Sequence, residues 1–180
     1  MRSKLISGVL SACIACAVFA VEAQAATGKE KVKAKIAEIK KWAAEAVVIE
    51  TVKSFNAGKP TELKEMSQEK WQKVSVIDPI IKNLRKNKAG EYFKSKQDDS
   101  VAEVFLNGAD GSKAALLSKT TSWSHKGKPK HDQPMTGKEW IGEEEVDEST
   151  GVRLIQVAVP VLDAGKPIGS LVVGFNVAKI

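Results

Sequence analysis

At Gly90 the spacing of apolar residues changes its period, and that change sets the architectures open to the chain. Before it, Val32, Ile36, Ile39, Ala43, Ala46 and Val47 recur at intervals of three and four, and Val48, Val52 and Phe55 widen the stripe. That is the spacing of one helical face. It predicts one long helix over 29–55, ended by Asn56-Ala57-Gly58-Lys59-Pro60. At ~1.5 Å per residue such a helix is roughly 40 Å long. A second helix is predicted over 62–74, capped by Thr61 with Leu63, Met66 and Trp71 inward. Asp78-Pro79 then starts a short third one carrying Ile80, Ile81 and Leu84. After Gly90 the alternation becomes two. Strands are predicted over 101–106, 113–118, 140–147, 152–162 and 168–177, the first two joined by the turn Asn107-Gly108-Ala109-Asp110-Gly111. Residues 119–139 hold Gly127, Pro129, Pro134 and Gly137 without apolar period and read as a long loop, a length often tied to function. The fold class is α+β, a long N-terminal helix packed on a five-stranded antiparallel sheet.

Parity assigns the two faces of that sheet. In the last strand Leu171, Val173, Phe175 and Val177 point one way, and Ser170, Gly174 and Asn176 the other. In the strand before it, Ile155, Val157, Val159 and Val161 oppose Gln156, Ala158 and Pro160. One face is wholly apolar and calls for the long helix. The other is small and partly polar, which suits a cavity roofed by the loop.

The N-terminus carries a different signal. Arg2 and Lys4 precede an uncharged stretch from Leu5 to Val21, and Ala23-Gln24-Ala25 supplies a small-x-small cleavage pattern. Residues 1–25 therefore read as a secretory signal, and 26–180 as a single mature domain in the periplasm or outside the cell. Two other readings compete: a retained membrane anchor, for which seventeen uncharged residues are short, and a lipobox at Leu10-Ser11-Ala12-Cys13. Cys13 and Cys16 form a C-x-x-C, but both lie inside the segment to be removed. The domain then has no thiol, and its core holds without disulfides. The chain is basic, with a net charge of +6, most of it lysine. No basic cluster is interleaved with aromatics, which argues against a nucleic-acid partner.

The loop and strand ends hold the candidate chemistry. Trp123 and Trp140 bracket the loop, each readable as ligand platform or as core. His125, His131 and Asp132 match no metal-ligand spacing, and Lys126, Lys128 and Lys130 among them repel cations, so no metal is expected and exposed loop polars are the plainer reading. Glu143 and Glu145 share a side with Asp147 by simple alternation, as solvated edge or as ligand-facing acids. There is no G-x-S-x-G, H-E-x-x-H or P-loop, and Ser124 beside His125 makes no dyad, so no enzyme activity and no cofactor are expected.

Several of these segments resemble the Cache domain, the extracellular PAS-like sensor family. They are Val104-Phe105-Leu106-Asn107-Gly108-Ala109-Asp110-Gly111, Thr121-Ser122 leading to Lys126-Gly127, and above all the final third. There Ala158-Val159-Pro160-Val161-Leu162-Asp163, Gly165-Lys166-Pro167-Ile168-Gly169 and Val173-Gly174 match the family's "PV-x-D-x-G-x-x-x-G-x-x-x-x-G" pattern. The resemblance implies a ligand between sheet and loop, with Trp123, His125, Asp132, Trp140, Glu145, Asp147 and Asn176 around it. In amino-acid-binding members a Tyr and an Asp stand where this chain has Glu145 and Asn176, which argues against an ammonium ligand. The implied function is periplasmic small-molecule sensing or binding. Because the chain stops at Ile180 with no transmembrane helix or signalling domain after the last strand, a separate membrane receptor or transporter is the expected partner. The alternative is a structural or interaction protein that kept the fold and lost the ligand. What separates them is whether the face of Ser170, Gly174 and Asn176 encloses a cavity or is filled by loop side chains.

Overall fold

The computed structural model describes residues 12–147 and 151–180, with side chains from Gly28 onward. The segment read as a signal lies outside the described residues, apart from the backbone of its last part. That backbone belongs to α1 (Ala12–Ala43). Among the described residues, no helix is long and apolar enough to cross a membrane.

The expected single helix over 29–55 is two. After α1 the chain turns at Ala44 and Glu45, where Glu45 is extended, and α2 runs Ala46–Ala57. The reason is a phase slip in the apolar stripe. A stripe through Val32, Ile39 and Ala43, continued at 3.6 residues per turn, would bury Glu50 and Ser54; the buried residues are Val48, Val52 and Phe55. The turn rotates the second helix so that this later stripe meets the same sheet. The helix expected over 62–74 is also two pieces, α3 (Thr61–Lys64) and α4 (Gln68–Lys73). Ser67 divides them, its side chain accepting from the Lys70 amide at 3.2 Å as the cap of α4. Leu63 and Trp71 still point inward.

Asp78 caps α5 (Pro79–Lys86), accepting from the Ile80 amide at 2.9 Å, with Pro79 at the first helical position. A further helix, α6 (Lys88–Lys96), was not foreseen; Asn87 caps it at the Gly90 amide, and Ala89 and Phe93 are buried. The strands follow as β1 (Val101–Asn107) and β2 (Lys113–Leu116), then α7 (Pro129–Met135) inside the expected loop, then β3 (Trp140–Val146), β4 (Arg153–Asp163) and β5 (Lys166–Asn176).

All strand pairs are antiparallel, in the order β2-β1-β5-β4-β3. Helices α1 and α2 pack on one face and α7 on the other. On the α1–α2 side Val104, Leu106, Ile155, Val157, Val159, Val161, Leu171, Val173 and Phe175 form the dry core. The far end of α2 is pinned to the hairpins: Asn56 donates to the Ile168 carbonyl at 2.8 Å and accepts from the Ala109 amide at 2.9 Å.

Candidate functional site

The other face of the sheet is built from residues of matching register. Glu103, Gly174 and Gln156 lie side by side across three strands, as do Phe105, Val172 and Ala158, and then Asn107, Ser170 and Pro160. Lys113 pairs with Asn107 from β2. Over this face the chain from Leu117 to Glu139 is laid down in two steps. First it crosses the β1–β2 turn, where the His125 amide donates to the Gly111 carbonyl at 2.9 Å. Gly111 has φ 77°, and a Cβ there would meet the Lys126 amide nitrogen at 2.4 Å, so any side chain would lift the loop off the turn. Then α7 sits on β4 and β5, turning Lys130 and His131 toward the sheet.

Beneath the loop is a buried polar chain. Lys113, 0% exposed, donates to Asn107 Oδ1 at 2.9 Å, and Asn107 Nδ2 donates to Ser170 Oγ at 2.9 Å. Ser170 Oγ lies 2.8 Å from His131 Nδ1, and His131 Nε2 lies 3.3 Å from the Ala109 carbonyl. The carbonyl only accepts, so the His131 proton sits on Nε2 and Nδ1 accepts from the serine. His125 Nδ1, 2.8 Å from Lys113 Nζ, accepts the second lysine bond. The Phe105 ring lies 4.8 Å from the same nitrogen. The carboxylates of Glu103 and Asp110 reach Lys113 only at longer range, and among the described residues it forms no ion pair.

The electrostatics follow from that burial. Lys113 is held well below the ordinary lysine range by desolvation, reinforced by the charges of Lys130 and Lys128. His125 is pushed down to about 2 by burial and then by Lys113. Burial also lowers His131, against the hydrogen bond to Ala109. At one end of this cluster is a mixed-charge set. Lys130 donates to Gln156 Oε1, and Gln156 donates to Glu103, whose side chain lies across Gly174. Burial raises the Glu103 carboxyl, opposed by Gln156 and Lys130 and reinforced by Asp147 and Glu145.

The structure places the expected site residues unevenly. His125 and His131, otherwise expected as exposed loop polars, are buried at 4% and 2% exposure. Trp123 packs on Trp71 of α4, with ring centroids 5.1 Å apart, and belongs to the hydrophobic core. Asp132 closes the loop, accepting from the Gly127 amide at 3.0 Å. Trp140 is half-buried opposite Ala158, its ring over Gly142. Glu145 lies in register with Leu154 and Asn176, while Asp147 closes the β3–β4 turn through its backbone and acts on Glu103. Asn176 Oδ1 accepts from the Ala178 amide at 3.0 Å. The expected alliance of Glu143 with Glu145 fails. A bulge between Ile141 and Glu144 breaks the alternation, so Glu143 pairs with Lys29 of α1 at 2.6 Å and Glu144 with Arg153.

Sequence reasoning passed over Glu103 and Lys113. Parity in β1 would have found the first, since Glu103, Phe105 and Asn107 alternate with Val104 and Leu106. Lys113 gives a weaker sign, a lone lysine opening an apolar run. Two clefts, of about 630 Å³ among α2, α3 and α5 and about 350 Å³ beside α5 and α6, lie on the helical parts and not on this face. Among the described residues, no group of three His, Cys, Asp or Glu side chains is placed to hold a metal.

The chain matches no protein-family model and no curated protein sequence. Solved structures do share its fold. The sensor domain of the V. cholerae histidine kinase DctB aligns with a TM-score of 0.51 at 14% identity, over 91% of this chain and 57% of that one. The fold is that of the Cache-type sensor domains. Weaker similarity extends to the GABA-bound ligand-binding domain of the Pseudomonas aeruginosa amino-acid chemoreceptor PctC, with a TM-score of 0.47 at 14% identity, over 86% of this chain and 57% of that one. It extends also to the L-serine-bound domain of the Pseudomonas fluorescens chemoreceptor CtaA, with a TM-score of 0.41 at 12% identity, over 85% of this chain and 54% of that one. The chain thus spans just over half the length of the Cache-type structures it matches.

Proposed function

We propose that this chain is a periplasmic or secreted small-molecule sensing or binding module, released after Ala25, that takes an organic carboxylate on its loop-covered face and acts through a membrane receptor or transporter. One observation carries the reading. Lys113 is completely buried beneath a loop without a carboxylate partner among the described residues. Burial disfavours the charged form of this amine, and a ligand carboxylate reaching it favours the ammonium again. His125, Asn107 and Ser170 supply the polar contacts that fix its orientation, and Lys130 supplies a second charge beside Gln156. The work is binding and release, with no bond made or broken.

A thermal-shift series on the purified protein tests this, with mono- and dicarboxylates, amino acids, amines and polyamines as additives. A ligand at 100 times its dissociation constant stabilises by ~2.7 kcal/mol. Stabilisation by carboxylates, lost in Lys113→Met, supports the reading. Stabilisation by amines alone sinks it.

A second reading, a structural or interaction protein with the sensor fold but no ligand, draws on another observation. The space below the loop is occupied by His125, His131 and Lys113, whose hydrogen bonds close on one another. It predicts that no additive in the series shifts the melting temperature.

A further inference from the structure

The turn between α4 and α5 carries Val76 and Ile77, exposed at 65% and 86%, among the most exposed large apolar side chains described. They are held there. The Asp78 amide donates to the Ser75 carbonyl at 3.0 Å, and Asp78 caps α5, so the turn cannot fold its apolar tip back onto the core. Around the tip stand Lys82, Arg85 and Lys86 of α5 and Lys94 of α6, with Glu91 as the acidic side chain lining the same cleft of about 350 Å³. All four cations are exposed, and among the described residues none of them forms an ion pair. The amphipathic logic of α5 accounts for the arrangement: Ile81 and Leu84 go inward, which leaves Lys82, Arg85 and Lys86 outside.

We propose that this turn, with the basic faces of α5 and α6, docks the protein on an anionic membrane leaflet. Two protruding apolar side chains ringed by unpaired cations suit an interface where the tip enters the headgroup layer and the cations meet lipid phosphates. A stable protein partner needs a larger apolar centre, with about 800 Å² buried on each side, and a tip of two residues does not provide it. Each cation near such a surface contributes about a fivefold gain in partitioning, weakened by salt as the Debye length shrinks to ~3 Å at 1 M. The surface is separate from the loop-covered face, so this docking stands or falls apart from ligand binding.

Flotation of the purified full chain with vesicles tests it. One set is phosphatidylcholine with about a third phosphatidylglycerol; the other is phosphatidylcholine alone. We expect flotation with the anionic vesicles only, reversed at high salt. Val76→Ser with Ile77→Ser should reduce it about tenfold, and Lys82→Glu with Arg85→Glu by more. All four positions are exposed, so unchanged melting temperatures will certify the fold of each variant. No flotation overturns the proposal. Flotation equal on both vesicle types, or undiminished in both variants, also overturns it and points to the apolar stretch of residues 5–21. Retention on soluble polyglutamate without flotation overturns it in favour of an acidic protein partner.

Discussion

The two faces of the sheet are made by the same strands and obey opposite rules. On the α1–α2 side, Ile155, Val157, Val159, Val161, Leu171 and Val173 are all 0% exposed, and they are held by shape and exclusion of water. On the loop side, one residue away along each strand, stand Gln156, Ala158, Ser170, Val172 and Gly174, of which Gln156 and Ser170 are tied by hydrogen bonds to Lys130 and His131 of the loop. The first arrangement tolerates no polar group and little loss of volume. The second tolerates small side chains because the loop brings its own: His125, Lys130 and His131 fill what the strands leave open. One face is closed by apolar packing, while the other is closed by polar side chains of the loop.

The sharpest way to break that division is to excavate the apolar face. Phe175, 2% exposed, fills the space between β5 and α1, where Lys35 Nζ lies 6.0 Å from its ring. Phe175→Ala should cost about 3–5 kcal/mol in denaturant unfolding. A loss below 1 kcal/mol would mean that the core lies elsewhere.

Trp123 tests where the boundary runs. It comes from the loop but stacks on Trp71, so it should behave as core, and Trp123→Ala should cost about 3 kcal/mol. An unchanged melting temperature combined with lost ligand binding would return it to the ligand site.

Proton linkage addresses the loop side alone. Unfolded histidine takes up a proton below about pH 6.5, while folded His125 stays neutral down to about 2. The unfolded state then binds more protons, so His125 removes stability as pH falls below about 6.5, by about 1.4 kcal/mol per unit. His131, lowered in the same direction, adds to the slope. Urea titrations between pH 7 and 5.5 should show a shallower slope for His125→Asn than for the unaltered protein. Equal slopes would place that ring in contact with water.

The smallest stability effect is expected at Lys113. Lys113→Met keeps the volume and removes a desolvated amine but leaves Asn107 Oδ1 and His125 Nδ1 without their donor, terms that offset to within about 1–2 kcal/mol. Carboxylate binding should nonetheless disappear. A large destabilisation without any change in binding would make Lys113 a structural residue.

Local signals made most of the fold legible. Alternation located all five strands, and Asp78-Pro79 marked the start of α5. The errors came where one period passed into another of the same kind. The stripe of α1 and that of α2 differ by about one to two residues in phase, and a count of apolar positions absorbs that slip without showing a break. α7 escaped because it holds Pro129 and Pro134 and its inward face is His131, not an aliphatic residue. At the site, parity placed Gln156, Ser170 and Gly174 correctly on the loop side. No local pattern shows that Lys113 meets His125, because the path of the loop across the β1–β2 turn decides that encounter.

The strand order has a consequence for timing. β5 lies between β1 and β4, yet it comes after both in the chain. A chain emerging from its N-terminus can form the β1–β2 hairpin and pair β3 with β4, but these two halves have no common strand until residues 166–176 appear. Pairing β1 with β5 closes a loop of more than 60 residues, the kind of distant contact that slows folding. Until then the apolar stripes of α1 and α2 have no finished sheet to cover. The last strand in the chain is therefore the one that joins the two halves of the sheet.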